Sequence, residues 1–177
     1  MVGYTRGRRP PEVANVNDFD AIAALNVGAY REFASSMTPE GWRGMEANLR
    51  DVEARAQTAQ FLVRRERGVI VGSVAYCPPG RGNPEIFPPE WAATLLLAVA
   101  PFHRGHGIAR ELATACIRFA RNDAAQVVGL FTSEPMTAAQ QLYESLGFRC
   151  ESEIPPRHGL RYWRYKLPLS GWANRIT

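Results

Sequence analysis

The chain has 177 residues, 46% hydrophobic and 21% charged, the composition of one ordinary globular domain with a substantial core and not of a disordered segment. Its net charge of +4 suits an anionic ligand as readily as a nucleic acid or plain solubility. Cys77, Cys116 and Cys150 form neither a C-x-x-C pair nor a cluster with the three histidines, so neither a disulfide framework nor a metal site is expected, and a reducing cytoplasmic setting is.

The start, MVGYTRGRRPPEV, is basic but lacks the apolar core of a signal peptide. From about Asp18, VNDFDAIAALNVGAYREFASS reads as a helix capped by Asn17 or Asp18, with Ile22, Leu25, Ala29 and Phe33 on one face. TPEGWRGMEANLRDVEARA starts a second helix, with Thr38 as N-cap and Pro39 in the first helical position. Phe61 to Arg65 and Val69 to Tyr76 read as a hairpin around a charged turn at Gly68. PPGRGNPEIFPPE, with five prolines, can continue neither strand nor helix. ATLLLAVA is a central strand buried on both faces, and its apolar run is far too short for the roughly 20 residues of a membrane span.

GIARELATACIRFARND is a helix, QVVGLFT a second buried strand, and MTAAQQLYESLG a helix closed by Gly147. FRCESE and LRYWRYKLP read as closing strands, and SGWANRIT as a loose tail. The order β, α, α, β, β, β, α, β, α, β, β predicts a mixed α/β sheet with strand–helix–strand units in its second half. No repeat or linker divides the chain, so one domain over 1–177 is expected, with a core of about 7–168.

The stretch APFHRGHGIARELATA joins a buried strand to a helix through two glycines. The first amides of a helix lack internal partners and, with its dipole, form an anion site. Gly105 and Gly107 keep Cβ atoms away from that mouth, Arg104 adds a charged donor, and Ala109 keeps the first turn small. The arrangement suits a diphosphate, although a tight connection without ligand would read the same. Walker A needs G-x-x-x-x-G-K-[ST], which is absent, and the dinucleotide fingerprint fails because Arg110 stands at its third glycine.

Further on comes AAQQLYESLGF. Arg104-Gly105-His106-Gly107-Ile108-Ala109 fits [QR]-x-x-G-x-[GA] after an apolar strand, and Ala139, Leu142, Tyr143, Gly147 and Phe148 fit A-x-x-L-Y-x-x-x-G-F. With both elements in order and a strand between them, the chain resembles the GNAT superfamily of N-acetyltransferases. The match is clear from about Thr94 to Phe148, and Met136 departs from it where the family often has asparagine.

The resemblance implies a GNAT fold of six or seven strands and about four helices. It implies acetyl-CoA in a V-shaped gap between two splayed parallel strands, Thr94–Val99 and Val127–Thr132. Backbone near Leu97, Ala98 and Val99 would pair with the pantetheine arm. Amides from Arg104 through Gly105, His106, Gly107 and Ile108 to Ala109 would hold the diphosphate, with Met136 and Ala139 also beside the cofactor. His106 would contribute its backbone and not its ring.

Tyr143 is the implied general acid for the leaving thiolate, because a phenol near 10 and a thiol near 8.5 lie close in pKa. Many members carry a glutamate base on the strand before the loop. Here that strand has no carboxylate, which leaves Glu90, with Glu85 and Glu134 as further options. The acceptor side would draw on Tyr30, Phe33, Trp42, Phe87 and Trp91, and no acidic cluster marks a polyamine site. The expected activity is transfer of an acetyl group to the amine of a small molecule or protein, by a monomer or homodimer with no nucleic-acid or membrane partner. A non-catalytic acyl-CoA sensor is the alternative, and LRYWRYKLP keeps a nucleic-acid module as a minor rival.

Overall fold

The structure, a computed structural model, describes residues 10–170; positions 1–9 of the basic start and 171–177 of the expected tail lie outside the described residues. In chain order the elements are β1 (Glu12–Val13), α1 (Phe19–Tyr30), α2 (Pro39–Arg50), α3 (Val52–Ala56), β2 (Gln60–Glu66), β3 (Val69–Cys77), β4 (Trp91–Val99), α4 (Ile108–Asn122), β5 (Val127–Ser133), α5 (Thr137–Ser145), β6 (Arg149–Arg157) and β7 (Leu160–Pro168). Short 3-10 turns lie at Val16–Asp18, Arg31–Ser36 and Pro101–His103.

The strands form one sheet in the order β1-β2-β3-β4-β5-β7-β6. Neighbours are antiparallel except the central pair, β4 and β5. This is the mixed α/β sheet that the element order predicts.

A continuous apolar strand needs cover on both faces, and the helices provide it. Ile22, Val27, Met45 and Leu49 from α1 and α2 pack on one face with Phe61, Val63, Ala75 and Ala93. Ile108, Leu112, Cys116 and Ile117 of α4 pack on the other face with Leu62, Val74, Tyr76, Val128 and Leu130. Tyr143 and Phe148 join that second core. One polar link runs through the first layer. Asn26 Nδ2 donates to the Leu49 carbonyl at 3.3 Å, and Ser73 Oγ donates to Asn26 Oδ1 at 3.0 Å. Both side chains are fully buried, and the pairing satisfies them while tying α1 to α2 and β3.

Local differences from the sequence expectation have local causes. The first cap is Asn15, which forms a capping box with Asp18 ahead of α1. The second helix breaks at Asp51, whose backbone leaves the helical path and whose side chain caps α3 by accepting from the Ala54 amide. β6 runs on to Arg157 through Pro155 and Pro156, because as an edge strand it needs no donors on its outer side. Leu169, just ahead of SGWANRIT, is buried, and its amide donates to the Gln126 carbonyl at 3.0 Å.

Gly72 on β3 sets how closely α4 approaches the sheet. A Cβ there would meet Ile108 Cγ2 at 2.7 Å and Leu112 Cδ1 at 3.0 Å, both on fully buried side chains. Gly72→Ala should therefore destabilise the fold by about 1–3 kcal/mol. Thermal unfolding should move down by about 2–4 °C per kcal/mol, and an unchanged midpoint would show that α4 has room to retreat.

Candidate active site

β4 and β5 are paired only at Trp91–Val127, Ala92–Val128 and Ala93–Gly129. Beyond Ala93 they part, so one edge of β4 is left without a strand. β4 also carries an extra residue opposite β3, between the pairs Ala75–Leu95 and Ser73–Ala98. Leu96 sits there in a left-handed conformation, with φ 54°. The bulge re-aims successive side chains: Leu97 becomes a wall of one cavity and Leu96 a wall of another.

The first cavity, about 650 Å³, opens between the end of β4, the loop into α4 and the start of α5. Gly105 and Gly107 have φ of 78° and 82°, where side-chain-bearing residues are strained, and a Cβ on either would point into open space. α4 has no side-chain N-cap, and its first helical bond runs from the Glu111 amide to the Gly107 carbonyl. The amides of Ile108, Ala109 and Arg110 thus lie ahead of the helical ladder, and all three residues line the cavity. Glu32, the one carboxylate in the lining, is paired with Arg104 at 2.8 Å. Charge and shape both fit a phosphate group.

Of the residues expected here, Leu97, Ala98, Val99, Arg104, Gly105, Gly107, Ile108, Ala109, Met136 and Ala139 line this cavity. The Arg104 side chain departs from its expected role as an anion donor. Its Nε donates to the Val99 carbonyl at 3.3 Å, Nη1 to Glu32 at 2.8 Å and Nη2 to the Ala29 carbonyl at 2.9 Å. It clamps the loop to the end of α1 instead. His106 does not line the cavity; its Nδ1 lies 3.3 Å from the His103 carbonyl.

The second cavity, about 580 Å³, lies between α2, α3, the Pro-rich loop and the β6–β7 turn. Tyr30 and Met136 line both cavities and so mark their junction. Tyr30 Oη donates to the Leu97 carbonyl at 3.2 Å, occupying an acceptor that the parted strand exposes. The cavity's aromatic wall is Tyr30, Phe87, Phe131 and Tyr162, with Phe87 stacked on Phe131 at 6.1 Å and Tyr162 edge-on to it at 5.8 Å. Phe33 faces the first cavity, whereas Trp42 and Trp91 line neither. Trp42 carries Arg31, and Trp91 is buried beneath Arg164. Cys77 also lines the second cavity, but burial pushes its thiol up to about 11, so it stays protonated and unreactive.

Sequence reasoning missed the β6–β7 turn. His158 has φ 53°, lines the second cavity and rests on α2 at two glycines. A Cβ at Gly41 would collide with the His158 carbonyl, and one at Gly44 would lie 3.0 Å from His158 Nδ1. Burial foremost, and then the charge of Arg157, hold His158 below the usual histidine pKa, so its ring is neutral at pH 7. The chain signal for this contact is the spacing Gly41-x-x-Gly44 on one helix face.

Tyr143 lies in the buried core, edge-on to Phe148 at 5.7 Å, and lines neither cavity. Burial raises its pKa well above the ordinary tyrosine value, and nearby Tyr30 and Cys116 add to the shift. The phenol is therefore protonated throughout the neutral range. Glu90, Glu85 and Glu134 are exposed and line neither cavity; Glu90 stands at the closed end of the strand pair.

The sheet is mixed, and its one parallel central pair parts over the mouth of α4. Residues 22–148 match the Acetyltransferase (GNAT) family, and the chain belongs to it. It is 30% identical over 146 residues to the mycothiol acetyltransferase of Geodermatophilus obscurus, covering 79% of this chain and 46% of that protein. It is 31% identical over 112 residues to N-acetyltransferase family 8 member 2 of Rattus norvegicus, covering 59% and 46%. The chain thus spans a little under half the length of these curated relatives. In fold it is similar to the PaiA N-acetyltransferase of Thermoplasma acidophilum in complex with coenzyme A, with a TM-score of 0.71, 12% identity and coverage of 90% and 99%. It is also similar to an acetyltransferase of Salmonella typhimurium with its cofactor acetyl-CoA, with a TM-score of 0.68, 23% identity and coverage of 92% and 95%. No helix among the described residues is long and apolar enough to cross a membrane.

The Arg104 clamp has a measurable consequence. Arg104→Met removes one partly exposed ion pair and two bonds to carbonyls, together about 1–2 kcal/mol. Amide hydrogen exchange at His103 and Arg104, which donate to the Ala100 and Pro101 carbonyls, should quicken about tenfold while exchange in β4 stays unchanged. Equal rates in both proteins would mean that the glycine loop holds its shape without the clamp.

Proposed function

We propose that residues 10–170 form one acetyltransferase domain that binds acetyl-CoA in the first cavity and transfers its acetyl group to the primary amine of an acceptor in the second. The observation that carries this reading is the junction. Two cavities of small-molecule size take walls from neighbouring residues of β4, where it has parted from β5, and share Tyr30 and Met136. A domain that only senses an acyl-CoA would need one cavity, so the pair favours catalysis over a sensor.

The donor cavity fits the cofactor on its own features. The open mouth at Gly105 and Gly107 and the uncapped first amides of α4 suit a diphosphate. The edge of β4 beyond Ala93, which no strand covers, suits a pantetheine arm in the place of a neighbouring strand, although the Leu97 and Val99 carbonyls already accept from Tyr30 and Arg104. When bound, acetyl-CoA supplies a thioester carbonyl that an unprotonated amine attacks, forming a C–N bond as the C–S bond breaks.

Tyr143 lines neither cavity but lies near Tyr30, which lines both, and in this reading it holds the proton that the departing sulfur takes. Desolvation disfavours a phenolate and a thiolate alike, so the small gap between their proton affinities survives burial. The amine must lose a proton in the same event. His158 is the one side chain in the acceptor cavity lining that is neutral and basic near pH 7. Glu90, by its position, takes no part.

Tyr143→Phe should lower kcat at least tenfold and leave acetyl-CoA affinity, measured by calorimetry, unchanged. Because the phenol's pKa is raised, it stays protonated past pH 10, so the alkaline limb of wild-type kcat should show no fall below that value. Full turnover in the phenylalanine variant would remove Tyr143 from the mechanism.

A further inference from the structure

The acceptor cavity has an unusual charge. Arg55, Arg81 and Arg157 line it, and no aspartate or glutamate does. Six arginines outside the cavity, Arg43, Arg50, Arg65, Arg104, Arg161 and Arg164, each reach a carboxylate within 3 Å. The three cavity arginines have no such ion pair among the described residues. Arg55 Nη2 donates to Asn48 Oδ1 at 2.9 Å, but its Nε is buried without an acceptor. Arg157 lies over the Phe131 ring at 5.3 Å, held by its face and not by an anion. A guanidinium keeps its charge at any working pH, and its donors suit the paired oxygens of an oxyanion.

We infer that the acceptor is a small amine carrying an oxyanion, a carboxylate or phosphonate-like group, next to an apolar or aromatic side chain. The inference rests on the acetyl-transfer reading above. The oxyanion would complete the arginine cluster, and the side chain would lie against Phe87, Phe131 and Tyr162. The cluster is not a second seat for the cofactor's phosphates, because their cradle opens on the other side of the β4 bulge. Cationic acceptors such as polyamines meet repulsion with nothing to offset it, since the cavity offers no carboxylate. A volume of about 580 Å³ takes a molecule of amino-acid size with its side chain enclosed.

The test uses L-phenylalanine and L-leucine, the aminophosphonate analogue of phenylalanine, 2-phenylethylamine and spermidine. Binding is measured by calorimetry on the full chain without acetyl-CoA, and turnover is measured as thiol release with it. At least one of the three anionic amines should bind and be acetylated with kcat/KM at least a hundredfold above 2-phenylethylamine; the phosphonate arm tells which oxyanion the cluster prefers. In Arg157→Gln and Arg55→Gln that ratio should fall at least tenfold, through KM of the anionic amine. Arg81→Gln, on an exposed loop residue, gives the same reading where a change to the other two disturbs folding. Spermidine or 2-phenylethylamine used as well as the anionic amines, anionic amines that fail to bind, or a ratio unmoved in all three variants would overturn the inference. Selective binding of an anionic amine without any thiol release would instead sink the acetyl-transfer reading and leave the anion site standing.

Discussion

The parting of β4 and β5 after three residue pairs is the constraint on which the rest of the molecule depends. A parallel pair in the middle of a sheet normally satisfies its backbone along its whole length, and opening it exposes carbonyls and amides at the centre of the fold. Each exposed group must find a partner or a ligand. The Tyr30 hydroxyl takes the Leu97 carbonyl, and Arg104 takes that of Val99. Both partners come from outside the sheet, one from the last residue of α1 and one from the loop before α4. The opening therefore dictates where α1 ends and how the glycine loop is held.

The same opening explains why two cavities lie so close without merging. The bulge at Leu96 turns neighbouring side chains to opposite sides, so a single strand furnishes a wall to each. Tyr30 and Met136 then close the space between. A long, flexible methionine fits such a seam, because its thioether adapts to irregular space. Met136 is buried, and it stands where the resemblance leads one to expect an asparagine.

The chain announces the donor side far more clearly than the acceptor side, and the reason is physical. Gly105 and Gly107 are needed for backbone conformation, the apolar run of β4 for burial on two faces, and Tyr143 by its place in a helix pattern. Each is a local demand that leaves a local mark. Sheet order and the two cores follow from the same patterns. The acceptor cavity is assembled from Arg55 on α3, Arg81 in the Pro-rich loop and Arg157 and His158 at the far hairpin. Nothing in the chain relates these residues except the fold. The left-handed Leu96 is hidden for a similar reason: leucine gives no hint of a φ that only tertiary packing enforces. Arg104 misleads in the opposite sense, since an arginine beside a phosphate-type loop reads as a ligand group until Glu32 and the Ala29 carbonyl arrive from another helix.

The absence of a carboxylate from the lining of the acceptor cavity and the presence of three arginines there belong to one electrostatic argument. An ordinary amine with a pKa near 10.4 is neutral in roughly one molecule per thousand at pH 7.4, and only that fraction can attack a thioester. A glutamate base would remove the proton but would also stabilise the ammonium form beside it. Positive charges act the other way, because each disfavours the ammonium and raises the neutral fraction. An oxyanion on the substrate offsets one of them and leaves the remainder acting on the nitrogen. Burial, and then the charge of Arg157, also keep His158 neutral at pH 7. On the proposed reading, the charges that would bind the acceptor's oxyanion would also favour its neutral amine, the task a carboxylate on β4 would otherwise serve.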